Sequence, residues 1–253
     1  MIIAQISDTH LALDTPDAVY RIGDFERTID DINSLDPAPD LIIHSGDIVQ
    51  NAREDEYEEA ARILARAKAP VHLMVGNKDD RNTLRKAFPD HSYLQSDGKF
   101  IAYTIEDHPV RIIVLDTLKP GSNKGEFCDE RIAAFASTIQ LDGKKPVAVF
   151  AHHPPFLVNE GPDPLHFETQ ETMQRFCDVL LTCSSLKGIF CGHVHRGVAG
   201  LVGDVPVLVM PCIATPLRRG DYPPNLVNCP IYHIHRFDAD GGFTSEIRIV
   251  NGE

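Results

Sequence analysis

Seven side chains of metal-binding type recur in one pattern along this 253-residue sequence. Asp8 and His10, Asp47, Asn77, His152 (with His153 beside it), and His193 with His195 each follow closely on a short apolar run. Carboxylate, neutral imidazole and amide oxygen, with no thiolate among them, suit Mn, Fe, Co or Zn rather than Ca or Mg. Singly, each has a plain structural reading. Asp47 after a glycine is a turn residue and Gly76-Asn77 an ordinary turn dipeptide. The His152-His153 pair reads as one core and one exposed imidazole, and His193 and His195 as half-buried strand positions. Together they say more, because parallel strands bring their C-terminal ends to one edge, where open α/β sheets bind ligands.

Seven donors exceed what one tetrahedral ion needs. They fit two ions sharing a carboxylate, with Asp47 as the natural bridge. Two divalent ions with two carboxylates leave a cluster charge of about +2 from standard ionisation states. A phosphate ester requires such a surplus. Two metals roughly 3.5–4 Å apart can activate a water, hold the phosphoryl oxygens and steady the leaving oxygen of an in-line displacement. The donors do not choose among the four metals; Mn or Fe, divalent or trivalent, is the working expectation, with Zn or Co as the alternatives.

The elements that must position these residues are legible in outline. Apolar runs at 1–6, 41–44, 71–75, 147–151 and 188–191 read as strands, each ending at a donor-bearing stretch. Between them, helices are expected at about 25–35, 54–67, 129–141 and after Thr169, the last with Met173, Phe176, Cys177 and Leu180 on one stripe. The stretch 99–116 reads as a hairpin around Asp107-His108-Pro109. A loop at 156–168 is long enough to suspect a role at the site. The tail alternates strands at 205–210, 231–237 and 243–250 with a Pro-rich segment, 211–230. Strands alternating with helices in both halves argue for an α/β fold with largely parallel, buried strands, in one domain spanning 1–253. Residues 211–253 are a candidate oligomerisation or substrate-side extension.

Composition narrows the partners. With 43% hydrophobic residues the chain can bury a large core. Its 24 basic and 37 acidic residues give a formal charge of −13, which argues against a nucleic-acid polymer as partner. Bound cations would reconcile that acidity with an anionic substrate. The six cysteines show no C-x-x-C pairing and read as buried free thiols. No leader pattern precedes the first strand and no apolar run approaches membrane-spanning length, so a cytoplasmic protein without a membrane partner is expected.

The ordered motifs Asp8-x-His10, Gly46-Asp47, Gly76-Asn77, His152 and Gly192-His193-x-His195 resemble those of the calcineurin-like metallophosphoesterase superfamily. Ile6-Ser7-Asp8-Thr9-His10 and His152-His153-Pro154-Pro155 are similar in style to its class III cyclic nucleotide phosphodiesterases and bacterial glycerophosphodiesterases. The resemblance implies a four-layer α/β/β/α sandwich of two sheets with helices outside and a dinuclear site at the strand ends. By motif position it implies Asp8, His10 and His195 on the first metal, Asn77, His152 and His193 on the second, and Asp47 bridging. His153 would then stand behind the ligands or on the substrate side. One position departs from the pattern: the family usually carries His after the Gly-Asn pair, and here it is Lys78. An ammonium can neutralise a phosphoryl oxygen as a point charge, but it holds its proton more firmly at neutral pH than an imidazole does.

The expected function is therefore hydrolysis of small phosphodiesters, of cyclic nucleotide or glycerophosphodiester type, by metal-bound hydroxide. Asp47, Asn77, Lys78 and His153 are the candidate catalytic residues. A phosphomonoesterase is the alternative in the same class; extra basic residues near the metals would favour it, and the sequence offers no obvious clamp. A non-catalytic scaffold is the alternative in a different class, and the intact ligand set speaks against it. His44, His72, His91 and His166 read as core or exposed imidazoles, Arg218-Arg219 as a solvated pair, and Asp79 or Asp80 as the cap of a following helix. The tail suggests a homodimer contact.

Overall fold

The computed structural model describes residues 1–96, 98–139, 145–159, 163–238 and 240–250. Eleven strands and five α-helices follow one another as β1 (Ile2–Ile6), α1 (Ala18–Asn33), β2 (Leu41–His44), α2 (Glu54–Leu64), β3 (Val71–Leu73), α3 (Arg81–Ala87), β4 (Tyr103–Ile105), β5 (Arg111–Leu115), α4 (Asp129–Ile139), β6 (Val147–Ala151), α5 (Gln170–Leu181), β7 (Leu186–Cys191), β8 (Val198–Val202), β9 (Val205–Val209), β10 (Ile231–Phe237) and β11 (Phe243–Ile249). The strands form two mixed sheets, ordered β11-β10-β1-β2-β3 and β4-β5-β6-β7-β9-β8. Each has a run of parallel strands, β1-β2-β3 at one side of the first sheet and β5-β6-β7-β9 inside the second. Antiparallel strands flank these: β10 and β11 in the first sheet, β4 and β8 in the second.

Side-chain alternation makes the layers. Ile3, Leu41, Ile43, Ile112, Val114, Ala148 and Phe150 point into one apolar layer between the sheets. Their neighbours point outward: Ala4, Ile6 and Ile42 pack against Phe25 and Ile29 of α1 and Tyr57 and Ile63 of α2. Ile113, Val147 and Val149 pack against Phe135 of α4 and Phe176 and Leu180 of α5. The order is helices, sheet, sheet, helices. Gln5 bridges the two sheets inside the middle layer, donating to Ser45 Oγ (2.9 Å) and the Cys191 carbonyl (3.1 Å), while its Oε1 lies 2.9 Å from His235 Nε2.

The structure revises several sequence boundaries. α1 starts at Ala18, well before the expected position 25. Its first turn carries exposed Val19 (71%) and Tyr20 (65%), so the apolar stripe there points the wrong way for recognition. α2 stops at Leu64, three residues short of the expectation, and β3 at Leu73. β8, an edge strand interrupted by Gly200, went unexpected. α4 is described to Ile139, and its expected last residues, 140 and 141, lie outside the described residues, as do 160–162 of the long loop and 251–253 of the tail.

Phe190 carries the inter-sheet layer, with its ring 4.9 Å from Phe150, 5.2 Å from Phe243 and 4.1 Å from His235. Phe190→Ala is expected to cost about 3–5 kcal/mol. Urea unfolding of metal-stripped protein should read this as a lower midpoint at unchanged slope; a cost under about 1 kcal/mol would mean that the sheets close around the gap.

Candidate metal centre

Every donor follows the C-terminal end of a parallel strand: Asp8 and His10 after β1, Asp47 after β2, Asn77 after β3, His152 after β6, His193 and His195 after β7. Main-chain bonds continue the pairing beyond the strands. Asp8 N–H donates to the Gly46 carbonyl (2.9 Å), His10 N–H to that of Asp47 (3.0 Å) and Gly192 N–H to that of His152 (3.1 Å). The loops then turn sharply. Asp8, His10, Asp47, His193 and His195 all have φ between 42° and 74°, and among the described residues Ala52 is the other non-glycine with positive φ. Such backbone persists only where its surroundings over-determine it. Glycine makes the close approaches possible: a Cβ on Gly192 would lie 2.1 Å from Ser7 Oγ, and one on Gly76 2.3 Å from Asp47 Oδ1.

The donor atoms fall into two sets meeting at one oxygen. In the first, Asp8 Oδ1 is 3.7 Å from His10 Nε2 and 3.4 Å from His195 Nε2, and His10 Nε2 is 3.5 Å from Asp47 Oδ2. In the second, His152 Nε2 is 3.5 Å from the same Oδ2 and 3.2 Å from Asn77 Oδ1, which lies 2.8 Å from His193 Nδ1. Donors about 2.1 Å from a tetrahedral ion stand about 3.4 Å apart, so both sets have the right spacing.

The remaining atoms of these side chains are held so as to leave the inner ones free. Asp8 Oδ2 accepts from Ser7 Oγ (2.6 Å) and His193 N–H (3.0 Å), while its Oδ1 is buried with no hydrogen-bond partner among the described residues. Asp47 Oδ1 accepts the Lys78 N–H (2.7 Å). The Nδ1 atoms of His10, His152 and His195 face Gln50 Oε1 (3.1 Å), the Ser45 carbonyl (2.8 Å) and the Leu217 carbonyl (3.1 Å). Those oxygens only accept, so each Nδ1 bears a hydrogen, and in the neutral ring each Nε2 presents a lone pair. His10 and His195 thus aim two lone pairs at each other across 2.9 Å, an arrangement that a cation between them resolves.

The electrostatics agree. Burial opposes charge on Asp8, but His10, His195 and His152 hold it well below the usual carboxylate range. Burial opposes charge on His152 too, yet Asp47 and Asp8 push it up to about 9: the carboxylates draw positive charge to its Nε2. His193, by contrast, is driven well down by burial and by His153, and remains a neutral ligand.

Asp79 and Asp80 divide the roles that their sequence left open. Asp80 caps α3, accepting from Asn82 and Thr83 N–H. Asp79 is buried and accepts from Gly76 N–H (2.8 Å), Ile48 N–H (3.1 Å) and Tyr57 Oη (3.0 Å), tying the Asp47 loop to the Asn77 loop. Burial and the nearby Asp47 push its pKa up to about 7. Buried Arg21 on α1 donates to the His10 carbonyl (3.0 Å) and Gln50 Oε1 (3.1 Å). No spacing rule marks Asp79, Arg21 or Gln50; they are found by asking what holds a ligand's far side.

His153 is fully buried, with its Nδ1 2.8 Å from Thr117 Oγ1 and its ring 4.4 Å from that of His193. It does not line the cleft over the site, although its ring lies close enough to offer a nitrogen beside His152 and His193. That cleft, of about 350 Å³, is lined by Asn77, Lys78, Asn123, Lys124, His166 and Arg219 besides the His ligands. Lys78 Nζ donates to Asn123 Oδ1 (3.1 Å). The long loop contributes Asp163, Leu165 and His166, whose ring stands 5.0 Å edge-on to His193. His44 lies in the core on Thr9 Oγ1 (2.9 Å), and His72 stacks with Tyr93 (5.0 Å).

A four-layer sandwich with paired Asp/His clusters at its strand ends defines a metallophosphoesterase, and residues 1–197 match the calcineurin-like phosphoesterase family. The chain belongs to that family. It is 34% identical over 205 residues to the glycerophosphodiester phosphodiesterase of Enterobacter lignolyticus, covering 78% of this chain and 71% of the relative. It is 24% identical over 259 residues to the 3',5'-cyclic adenosine monophosphate phosphodiesterase of Pseudomonas aeruginosa, covering 99% and 90%. Among solved structures, a dimetal phosphatase from Danio rerio superposes with a TM-score of 0.71 at 14% identity over 99% of this chain and 96% of that one.

Asp79→Ala strips the acceptor from buried main-chain donors at about 1–3 kcal/mol each. It should lower stability by about 3 kcal/mol or more and reduce bound metal at limiting supply at least about ten-fold. Metal analysis beside thermal unfolding checks both, and wild-type metal content would remove Asp79 from the site's support.

Proposed function

We propose that this protein is a dinuclear-metal phosphodiesterase acting on small phosphodiesters of glycerophosphodiester or cyclic nucleotide type. The observation carrying the proposal is the single oxygen, Asp47 Oδ2, that stands 3.5 Å from both His10 Nε2 and His152 Nε2. Asp8, His10 and His195 complete one ligand set around it; Asn77, His152 and His193 complete the other. Mn, Fe, Co and Zn all suit these donors, with Mn or Fe the working choice. When bound, the two ions supply Lewis acidity and a water nucleophile usable at neutral pH. The diester preference draws on the two enzyme relatives, whose names specify phosphodiesters.

The protein's own groups do the positioning. Asp47 is fixed through the Lys78 N–H, and the three Nε2 ligands are aimed by acceptors on their far sides. Lys78 Nζ, steadied by Asn123, neutralises a phosphoryl oxygen as negative charge develops. His153 acts from behind, through its packing on His193. One observation favours the phosphomonoesterase alternative: Lys78, Lys124 and Arg219 all line the cleft, and a monoester carries the extra charge they would meet.

Chelator-stripped protein reloaded with Mn²⁺ should hydrolyse bis(4-nitrophenyl) phosphate faster than 4-nitrophenyl phosphate. Asp47→Ala should abolish both turnover and metal binding. Lys78→Ala should lower kcat by roughly 10–100-fold while leaving metal content unchanged. A monoester preference selects the alternative, and inactivity of fully loaded protein with Mn, Fe, Co and Zn returns the scaffold reading.

A further inference from the structure

We propose that Arg219 reads the substrate's non-reacting arm, and that preferred substrates are phosphodiesters carrying a second negative charge on that arm. The inference rests on the phosphodiesterase reading. It begins with two adjacent arginines that the fold treats differently. Arg218 donates to the carbonyls of Leu226 (2.6 Å), Val227 (2.7 Å) and Cys229 (2.6 Å) and lies over the Tyr222 ring at 4.3 Å, so its charge is committed to the tail. Arg219 is tied to the ligand loop by its main chain, N–H to the His195 carbonyl at 2.9 Å. Its guanidinium makes no hydrogen bond or ion pair among the described residues.

Arg219 lines two cavities: the metal cleft, and a neighbour of about 320 Å³ walled by Arg196, Pro211, Asp221, Tyr222 and Ile231. It is the boundary between them. A substrate with its phosphorus at the metals therefore passes an arm across this guanidinium into the second cavity.

The charge balance says what the arm bears. Across both cavities, setting aside the metal ligands and Arg196, which has a partner of its own, Lys78, Lys124 and Arg219 oppose Asp163 and Asp221, a positive surplus in a chain of net charge −13. A phosphodiester has one negative charge, which the metal cluster at about +2 already exceeds. Two of the cleft cations are engaged, Lys124 with Asp163 (2.7 Å) and Lys78 with Asn123. Arg219 is the cation left to meet a further anion, and its planar fork matches a carboxylate or phosphate. Asp221, exposed on the wall of the second cavity, repels an anion there and so favours a second charge beside Arg219.

The test compares 4-nitrophenyl phosphodiesters with a butyl or a 3-carboxypropyl arm, using metal-loaded protein. Wild type should favour the carboxylate arm in kcat/KM by about ten-fold or more, and Arg219→Gln should bring that ratio near one. Arg219→Lys should restore it only in part. Calorimetric titration of the matching non-hydrolysable phosphonates should give the same ratio in Kd. A wild-type ratio of one or less overturns the proposal, as does a ratio that survives Arg219→Gln. An equal fall on 4-nitrophenyl phosphate also overturns it, because Arg219 would then serve the phosphoryl group itself. If the loaded protein turns over none of these, the phosphodiesterase reading fails, and the calorimetric ratio alone decides Arg219.

Discussion

Two carboxylates buried side by side set the terms for the rest of the molecule. Asp8 and Asp47 are 0% and 1% exposed, and each raises the cost of ionising the other. Such a pair survives only with positive charge brought to it. The imidazoles around it cannot all supply that charge as protons, because His10 Nε2 and His195 Nε2 face each other at 2.9 Å and have room for only one hydrogen between them. Two buried carboxylates beside inward-facing imidazole nitrogens and an amide oxygen are donors that suit a cation in each set. Metal binding then doubles as folding free energy, since an unfolded chain has no preformed site.

The architecture follows from this demand. No single sheet provides enough strand ends, so one gives Asp8, His10, Asp47 and Asn77 and the other gives His152, His193 and His195. The two sheets must therefore keep a fixed relation, which the inter-sheet layer around Phe150 and Phe190 and the Gln5 bridge to Cys191 maintain. At the site, left-handed backbone at five ligands stores strain that packing elsewhere offsets. Helix α1 connects periphery and centre. Asp24 Oδ2 accepts from Thr215 N–H (2.8 Å), holding the segment whose Leu217 carbonyl orients His195, while Arg21 holds the His10 carbonyl.

What the sequence revealed, and what it did not, divides along physical lines. Strands β2 and β6 were legible to the residue because buried strands are nearly continuous apolar runs bounded by turn residues, and β10 because its β-branched and aromatic residues stand between turn signals. The ligands were legible because metal chemistry restricts residue types. The start of α1 was not, since exposed Val19 and Tyr20 break its stripe, and neither was β8, whose Gly200 makes room for the Phe156 ring, 3.0 Å from where a Cβ would sit. Asp79 was opaque for another reason. Its importance lies in three-dimensional hydrogen bonds to main-chain donors, and a main-chain partner leaves no mark on the sequence. The separation of Arg218 from Arg219 is of the same kind, decided by where neighbouring carbonyls fall.

Lys78, the departure from the family pattern, becomes intelligible in these terms. Position 78 touches the centre twice, by its main chain and by its side chain. The N–H to Asp47 Oδ1 is available to any residue except proline, so the shared carboxylate keeps its orientation whatever side chain stands there. The side chain donates to Asn123 Oδ1, which also accepts from Asn77 Nδ2 (3.3 Å), and faces the cleft. In the proposed reaction an ammonium here, in place of an imidazole, changes the charge that faces the phosphoryl group, while the main-chain bond to Asp47 stays available. A fixed cation there suits a leaving group that departs without needing a proton, and it adds to a rim of positive charge that an acidic protein would otherwise lack.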